Sequence, residues 1–226
     1  MTAANGDQTT RARIRRDALF IALSAAPFGV AFGIAAADAG LSVIEAMGFS
    51  VLVFAGSAQF AAVSVLGDGG TAVAAITAGL LLNLRSLAFG VAMAPALRGS
   101  LPFRLGASQL MIDESTAVGT AQETMALRRY GYLAAGLAVF VLWNASTVLG
   151  VAVLSSSGDV VETLGLDAAI PAVFLALLWP RLADPTQRLL AVAGAVVALV
   201  LTPITPAGVP IVASAAVVLL LWRRPA

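Results

Sequence analysis

From Ala18 to Trp222 the sequence is an almost continuous series of apolar runs, near residues 18–37, 46–66, 72–95, 105–127, 131–154, 168–180, 187–202 and 208–222. An apolar run of about 20 residues is the length of helix that crosses a bilayer. One aqueous core cannot hide so much apolar surface: 60% of the residues are hydrophobic and 11% charged, against about 45–50% and 25% in soluble domains. The expectation is an all-α integral membrane protein, a polytopic bundle of about six to eight apolar segments. The joints between runs, such as "ADAGLS", "GDGG" and "TPITPAG", are too short for a soluble domain. Residues 1–17 read as a basic cytoplasmic N-terminus and 18–226 as a single transmembrane domain.

The start of the chain has the layout of a secretory signal, a basic stretch followed by an apolar run and small residues. The run from Ala18 to Ala37 is long enough to span, and more spans follow, so it reads as a retained first helix. The chain has no Cys and no His, and all thirteen basic residues are Arg. Disulfides, thiol chemistry and metal or haem ligation by these residues are thereby excluded. So is the usual group that titrates near neutral pH, and any proton handling falls to carboxylates. There is no Walker A, GxSxG or zinc motif. Neither an enzyme nor a cofactor is expected, and a net charge of +1 gives no ground for nucleic-acid binding.

Arginine placement sets orientation. Arg11, Arg13, Arg15 and Arg16 put the N-terminus in the cytoplasm. If every segment crosses, Arg128, Arg129, Arg181, Arg188, Arg223 and Arg224 also lie inside, and Arg98 and Arg104 fall outside. If 46–66 and 105–127 instead turn back to the side they entered, every loop Arg is cytoplasmic. Asp38, Glu45, Asp68, Asp159, Glu162 and Asp167 then lie outside. Both arrangements leave the C-terminus inside. Segment 105–127 is poor for a lipid-facing span because it carries Asp113, Glu114, Gln122 and Glu123; segment 46–66 has Gly56 and Ser57 where a helix could break. Broken helices at mid-membrane are a transporter device. "GSAQF" at 56–60 echoes "GASQL" at 106–110, as an inverted repeat would.

Within the apolar runs a few polar residues stand out. Arg85 sits inside "LLLNLRSLAFG", where a charge costs about 2.5–3.5 kcal/mol on insertion scales. It should face protein or water and pair with Asp113 or Glu114. That pair is either structural, fixing helix packing, or functional, binding a substrate carboxylate or gating. Adjacent carboxylates on a helix point about 100° apart, so one can pair with Arg85 while the other faces a cavity and exchanges protons; alternatively both lie wet among headgroups. Gln59 and Asn83 can read a substrate's end groups or bond a neighbouring helix. Trp143 reads as packing rather than ligand contact, Gly29 and Gly33 as a packing seam, and Pro27 and Pro171 as kinks or helix starts.

"VLVFAGSAQFAAV" (51–63), "LLNLRSLAFGVAMAP" (81–95), "IDES" (112–115) and "IPAVFLALLWPRL" (170–182), in this order and spacing, resemble the AzlC family of branched-chain amino acid permeases. The resemblance implies proton-driven export of valine, leucine and isoleucine, and in some members methionine, together with a small AzlD-type membrane subunit. The family's AG-x-x-QF corresponds to Ala55, Gly56, Gln59 and Phe60, its N-x-R to Asn83 and Arg85, and its acidic motif to Asp113, Glu114 and Ser115. Two positions depart from it: Ser86 and Phe89 stand where the family has His and then Tyr, and Ile112 stands where it has Thr. On this reading Gly56, Ser57, Gln59, Asn83 and Arg85 bind substrate, and Asp113, Glu114 and Ser115 with Arg85 form the proton-coupling or ion-pair group. The rival reading is a channel-like or regulatory membrane subunit whose polar core is structural.

Overall fold

The computed structural model describes residues 2–154, 175, 178–206 and 208–222. Pro171, Asp159, Glu162, Asp167, Arg223, Arg224 and most of segment 168–180 lie outside the described residues. The described residues are helical and contain no strand. In chain order the helices are α1 (Thr2–Asp38), α2 (Val43–Val53), α3 (Gly56–Gly67), α4 (Ala72–Asn83), α5 (Arg85–Met93), α6 (Leu101–Gln109), α7 (Asp113–Thr120), α8 (Met125–Leu149), α9 (Pro185–Leu201) and α10 (Val209–Trp222). Among the described residues, three stretches are long and apolar enough to cross a membrane: Asp7–Asp38, Ala72–Met93 and Met125–Val153. This is a multi-pass membrane protein.

α1 and α8 form the centre of the bundle and run parallel. The Arg11 guanidinium lies 5.1 Å from the Tyr130 ring centre near their N-terminal ends, and Gly33 meets Gly150 near the other end. The seam expected at Gly29 and Gly33 is real, and its partner is α8. A Cβ at Gly33 would come within 3.0 Å of Gly150 Cα and 2.7 Å of Val151 N, so only glycines permit this approach. Pro27 lies inside α1 without ending it. Residues 2–17 of the basic stretch are continuous with this helix and form its first turns.

The two suspect segments are both broken, and each returns to the end it left. Segment 46–66 becomes α2 and α3, joined at Phe54, whose backbone is left-handed (φ 33°, ψ 59°). Gly67, at the end of α3, lies against Ala39, just before α2 begins. Segment 105–127 becomes α6 and α7, joined through Leu110–Ile112. Arg129, at the start of α8, donates to the Arg98 carbonyl (3.2 Å) and covers the Phe103 ring at 4.0 Å. The entry to α6 and the exit from α7 therefore share one end. Half-helices of 8–12 residues are about 12–18 Å long, roughly half of a 30 Å hydrocarbon core. The two hairpins dip in from opposite ends and meet at their tips.

Every described loop Arg is consequently gathered at the end where α1 and α8 begin. α9 and α10 form a hairpin, tied by Ser214 Oγ donating to Gly194 O at 3.0 Å. Their joint at Gly208 packs on Val65 and Ala74, at the opposite end. That places Arg181 and Arg188 with the other arginines, and Asp38, Glu45 and Asp68 at the far end. Of the two arrangements the sequence allows, the fold is the one with re-entrant segments. "GSAQF" opens α3 just past its break, whereas "GASQL" closes α6 just before its own.

Each break exposes backbone groups that a low-dielectric interior must satisfy. Gln109 Nε2, at the end of α6, donates to Val51 O (2.7 Å) and Leu52 O (3.2 Å), the last carbonyls of α2. Tyr132 Oη, fully buried on α8, donates to Ala107 O at 2.7 Å. Ser115 Oγ accepts from Ile112 N (3.1 Å) and donates to Leu110 O (2.7 Å) and Ile112 O (3.0 Å). Phe54 is held in its strained conformation by burial and an edge-on contact with Phe140 at 4.9 Å.

Candidate functional site

The hairpin tips leave a cavity of about 220 Å3 against α1 and α8. Pockets for drug-sized ligands run to roughly 300–1,000 Å3, so this one suits a small metabolite. Ile21, Ser24, Ala25 and Phe28 line it from α1, and Val139 and Trp143 from α8. Those residues fall near mid-length of the spans Asp7–Asp38 and Met125–Val153, so the cavity lies at mid-depth. Phe54, Gly56, Ser57 and Phe60 enter from the first hairpin, Ile112, Asp113 and Glu114 from the second, and Arg85 from α5.

Three helices begin at this cavity: α3 at Gly56, α5 at Arg85 and α7 at Asp113. A helix N-terminus carries unsatisfied N–H groups and a partial positive charge. α7 answers its own with Asp113 and Glu114 in its first turn. α3 does not, because its N-cap is Ala55, which has no side-chain acceptor. Glycine at position 56 also lets the Trp143 ring lie over the helix start, since a Cβ there would come within 3.1 Å of Cη2.

α4 and α5 are one kinked span. Around Leu84 the α-helical bonds give way to Leu84 N–Leu81 O (3.4 Å) and Leu87 N–Leu84 O (3.0 Å). The kink turns Arg85 into the cavity, where its Nη1 lies 3.6 Å from Asp113 Oδ2. The guanidinium uses only part of its donor set, and its Nε is buried without a partner. Glu114 lines the same cavity and forms no ion pair among the described residues. One wall thus offers cation and helix-start donors, a second offers carboxylates, and the rest is apolar.

The residues singled out from sequence separate in space. Gly56, Ser57, Arg85, Asp113 and Glu114 meet at the cavity. Gln59 is fully buried on α3 with both amide atoms unpartnered, and it does not line the cavity. Asn83 lines other depressions, and its Oδ1 accepts from Ser86 Oγ at 2.8 Å. Ser86, which departs from the family motif, thus bonds the asparagine of that motif. Ser115 is fully buried and holds the second tip. Sequence reasoning did not anticipate Phe28 on the cavity wall or the Gln109 bridge; the only trace of the latter was the echo between Gln59 and Gln109.

A mid-depth cavity of mixed charge, built where half-helices end inside a polytopic bundle, defines a membrane transport protein. More narrowly, the chain belongs to the AzlC family: the AzlC protein model matches residues 21–156, a span that contains every residue lining the cavity. The inner membrane protein YgaZ of Escherichia coli is 29% identical over 177 residues, 72% of this chain and 69% of that protein. An uncharacterized membrane protein of Archaeoglobus fulgidus is 32% identical over 200 residues, 86% of each chain. The branched-chain amino acid transport protein AzlC of Bacillus subtilis is 29% identical over 151 residues, 66% of this chain and 59% of that protein. No solved structure matches the chain.

Proposed function

We propose that this protein is a secondary exporter of branched-chain amino acids, valine, leucine and isoleucine, with methionine as a further substrate. It works in a bacterial cytoplasmic membrane with both termini inside. The observation that carries the reading is the cavity's chemical division. Arg85 and the uncapped start of α3 suit a carboxylate, while Asp113 and Glu114 suit an ammonium. Ile21, Phe28, Phe60, Ile112 and Val139 suit an aliphatic side chain. The name of the Bacillus subtilis relative agrees with that substrate class. In this mechanism the substrate ammonium competes with Arg85 for Asp113, and Glu114 or Asp113 exchanges a proton as the pair opens. Gln59 and Asn83 act behind the cavity wall rather than on the substrate. The Arg-rich end is cytoplasmic by the positive-inside rule, and export is the direction implied by the family resemblance. A small AzlD-type subunit completes the working unit.

The test is uptake of labelled valine, isoleucine and methionine into proteoliposomes under an imposed pH gradient, with and without the co-expressed small subunit. Saturable uptake that collapses with the gradient is expected. Absence of substrate-dependent flux in both preparations contradicts the proposal.

A further inference from the structure

Trp143 packs in an aromatic cluster, stacked on Phe32 (6.3 Å between ring centres, 25° between planes) and edge-on to Phe60 (6.3 Å, 85°). On those contacts alone it is a core residue. Its Nε1 tells against that, because it is buried and has no acceptor. An indole N–H usually finds a partner when buried, and one left unpaired in an apolar site is costly. Phenylalanine would fill most of the same space without that cost. Trp143 is only 7% exposed and still forms part of the cavity wall.

Arg85 lines the same cavity, and its Nε is likewise a buried donor without a partner. The first α-helical bond of α3 is Gln59 N to Ala55 O (2.9 Å), which leaves the N–H groups of Gly56 and Ser57, both cavity-lining residues, without intrahelical acceptors. The cavity therefore has more donors than the chain answers, and a carboxylate, which accepts about four hydrogen bonds, fits that surplus.

We propose that Trp143 is a substrate-contacting residue, its indole N–H donating to the substrate carboxylate beside Arg85 while its ring walls the aliphatic side chain. The inference rests on the reading of the cavity as an amino-acid site. It predicts that Trp143→Phe raises KM for valine about tenfold, about 1.4 kcal/mol, with Vmax within about twofold and thermal stability unchanged or higher. Binding of isobutylamine, which is valine without its carboxylate, should be equally weak in both proteins, because the N–H then has nothing to meet.

A second measurement keeps Trp143 in place. In a Trp179→Phe/Trp222→Phe background Trp143 is the only tryptophan, and saturating valine should shift its emission while isobutylamine should not. If wild type carries valine but Trp143→Phe has the same KM, or valine leaves the Trp143 emission unchanged, the inference is overturned and the functional reading stands. If wild type neither binds nor carries any of the amino acids, the functional reading fails and takes the inference with it.

Discussion

Ser115 Oγ joins the backbones of Leu110 and Ile112, accepting from Ile112 N and sharing its one O–H between Leu110 O and Ile112 O, all within the tip of the second hairpin. A single side-chain hydrogen bond inside a membrane protein contributes about 0.6 kcal/mol and at most about 1.7. Ser115→Ala should therefore lower stability by about 1–2 kcal/mol, read as a reduced thermal midpoint in detergent, with KM nearly unchanged because Ser115 does not line the cavity. A large KM change with unaltered stability would place Ser115 on the substrate instead. Arg85 is the contrary case, since it lines the cavity and pairs there with Asp113. Its oddity was plain in the sequence, because a charge inside an apolar run demands a partner. Its choice of Asp113 over Glu114 was not, because the turn at Leu110–Ile112 that aims α7 has no strong signature.

Among elements, the hairpin tips are joined because the second supplies a donor to carbonyls that the first one's break exposes. Gln109→Leu leaves the Val51 and Leu52 carbonyls without their side-chain donor. It should destabilise the protein by about 1–2 kcal/mol and raise hydrogen exchange at the end of α2 first. Equal protection in the variant would show that the bridge contributes nothing. α2 starts on a capping box, in which Glu45 accepts from Ser42 N (2.8 Å) and Ser42 Oγ (2.7 Å). Those bonds hold the exposed Glu45 carboxyl below its ordinary value of 4.5. A carboxyl lowered by folding adds stability above its unfolded pKa and loses it as pH falls through the folded one. Exchange protection of the first turn of α2 should hold at pH above the ordinary glutamate range and decline as pH falls through and below it. Glu45→Gln should remove that dependence, and an unchanged pH profile in the variant would assign it to another group.

Across the whole molecule, the all-α class and the apolar segments were legible because bilayer thickness imposes helix length. The two breaks were legible in outline because carboxylates and a Gly-Ser pair do not suit a lipid-facing span. The return of each hairpin was signalled by the arginines, which share one side only if both segments turn back, but the contacts that close it were not, because they join residues distant in sequence: Gly67 with Ala39, and Arg129 with Arg98. The absence of cysteine makes this topology directly testable with single cysteines and an impermeant thiol reagent. Gln8→Cys, Ser100→Cys and Thr124→Cys should label from one face, and Ser42→Cys and Gly69→Cys from the other; labelling of Ser100→Cys from the face opposite Gln8→Cys would mean that the segments span. The central claim is that the charged mid-depth cavity carries the substrate. It is tested most directly by comparing gradient-driven valine uptake in proteoliposomes of wild type and Arg85→Gln, matched for folded protein. Saturable uptake is expected in wild type, and at least a tenfold loss in the variant, about 1.4 kcal/mol or more. Equal flux in the two would contradict it and leave the ion pair as packing alone.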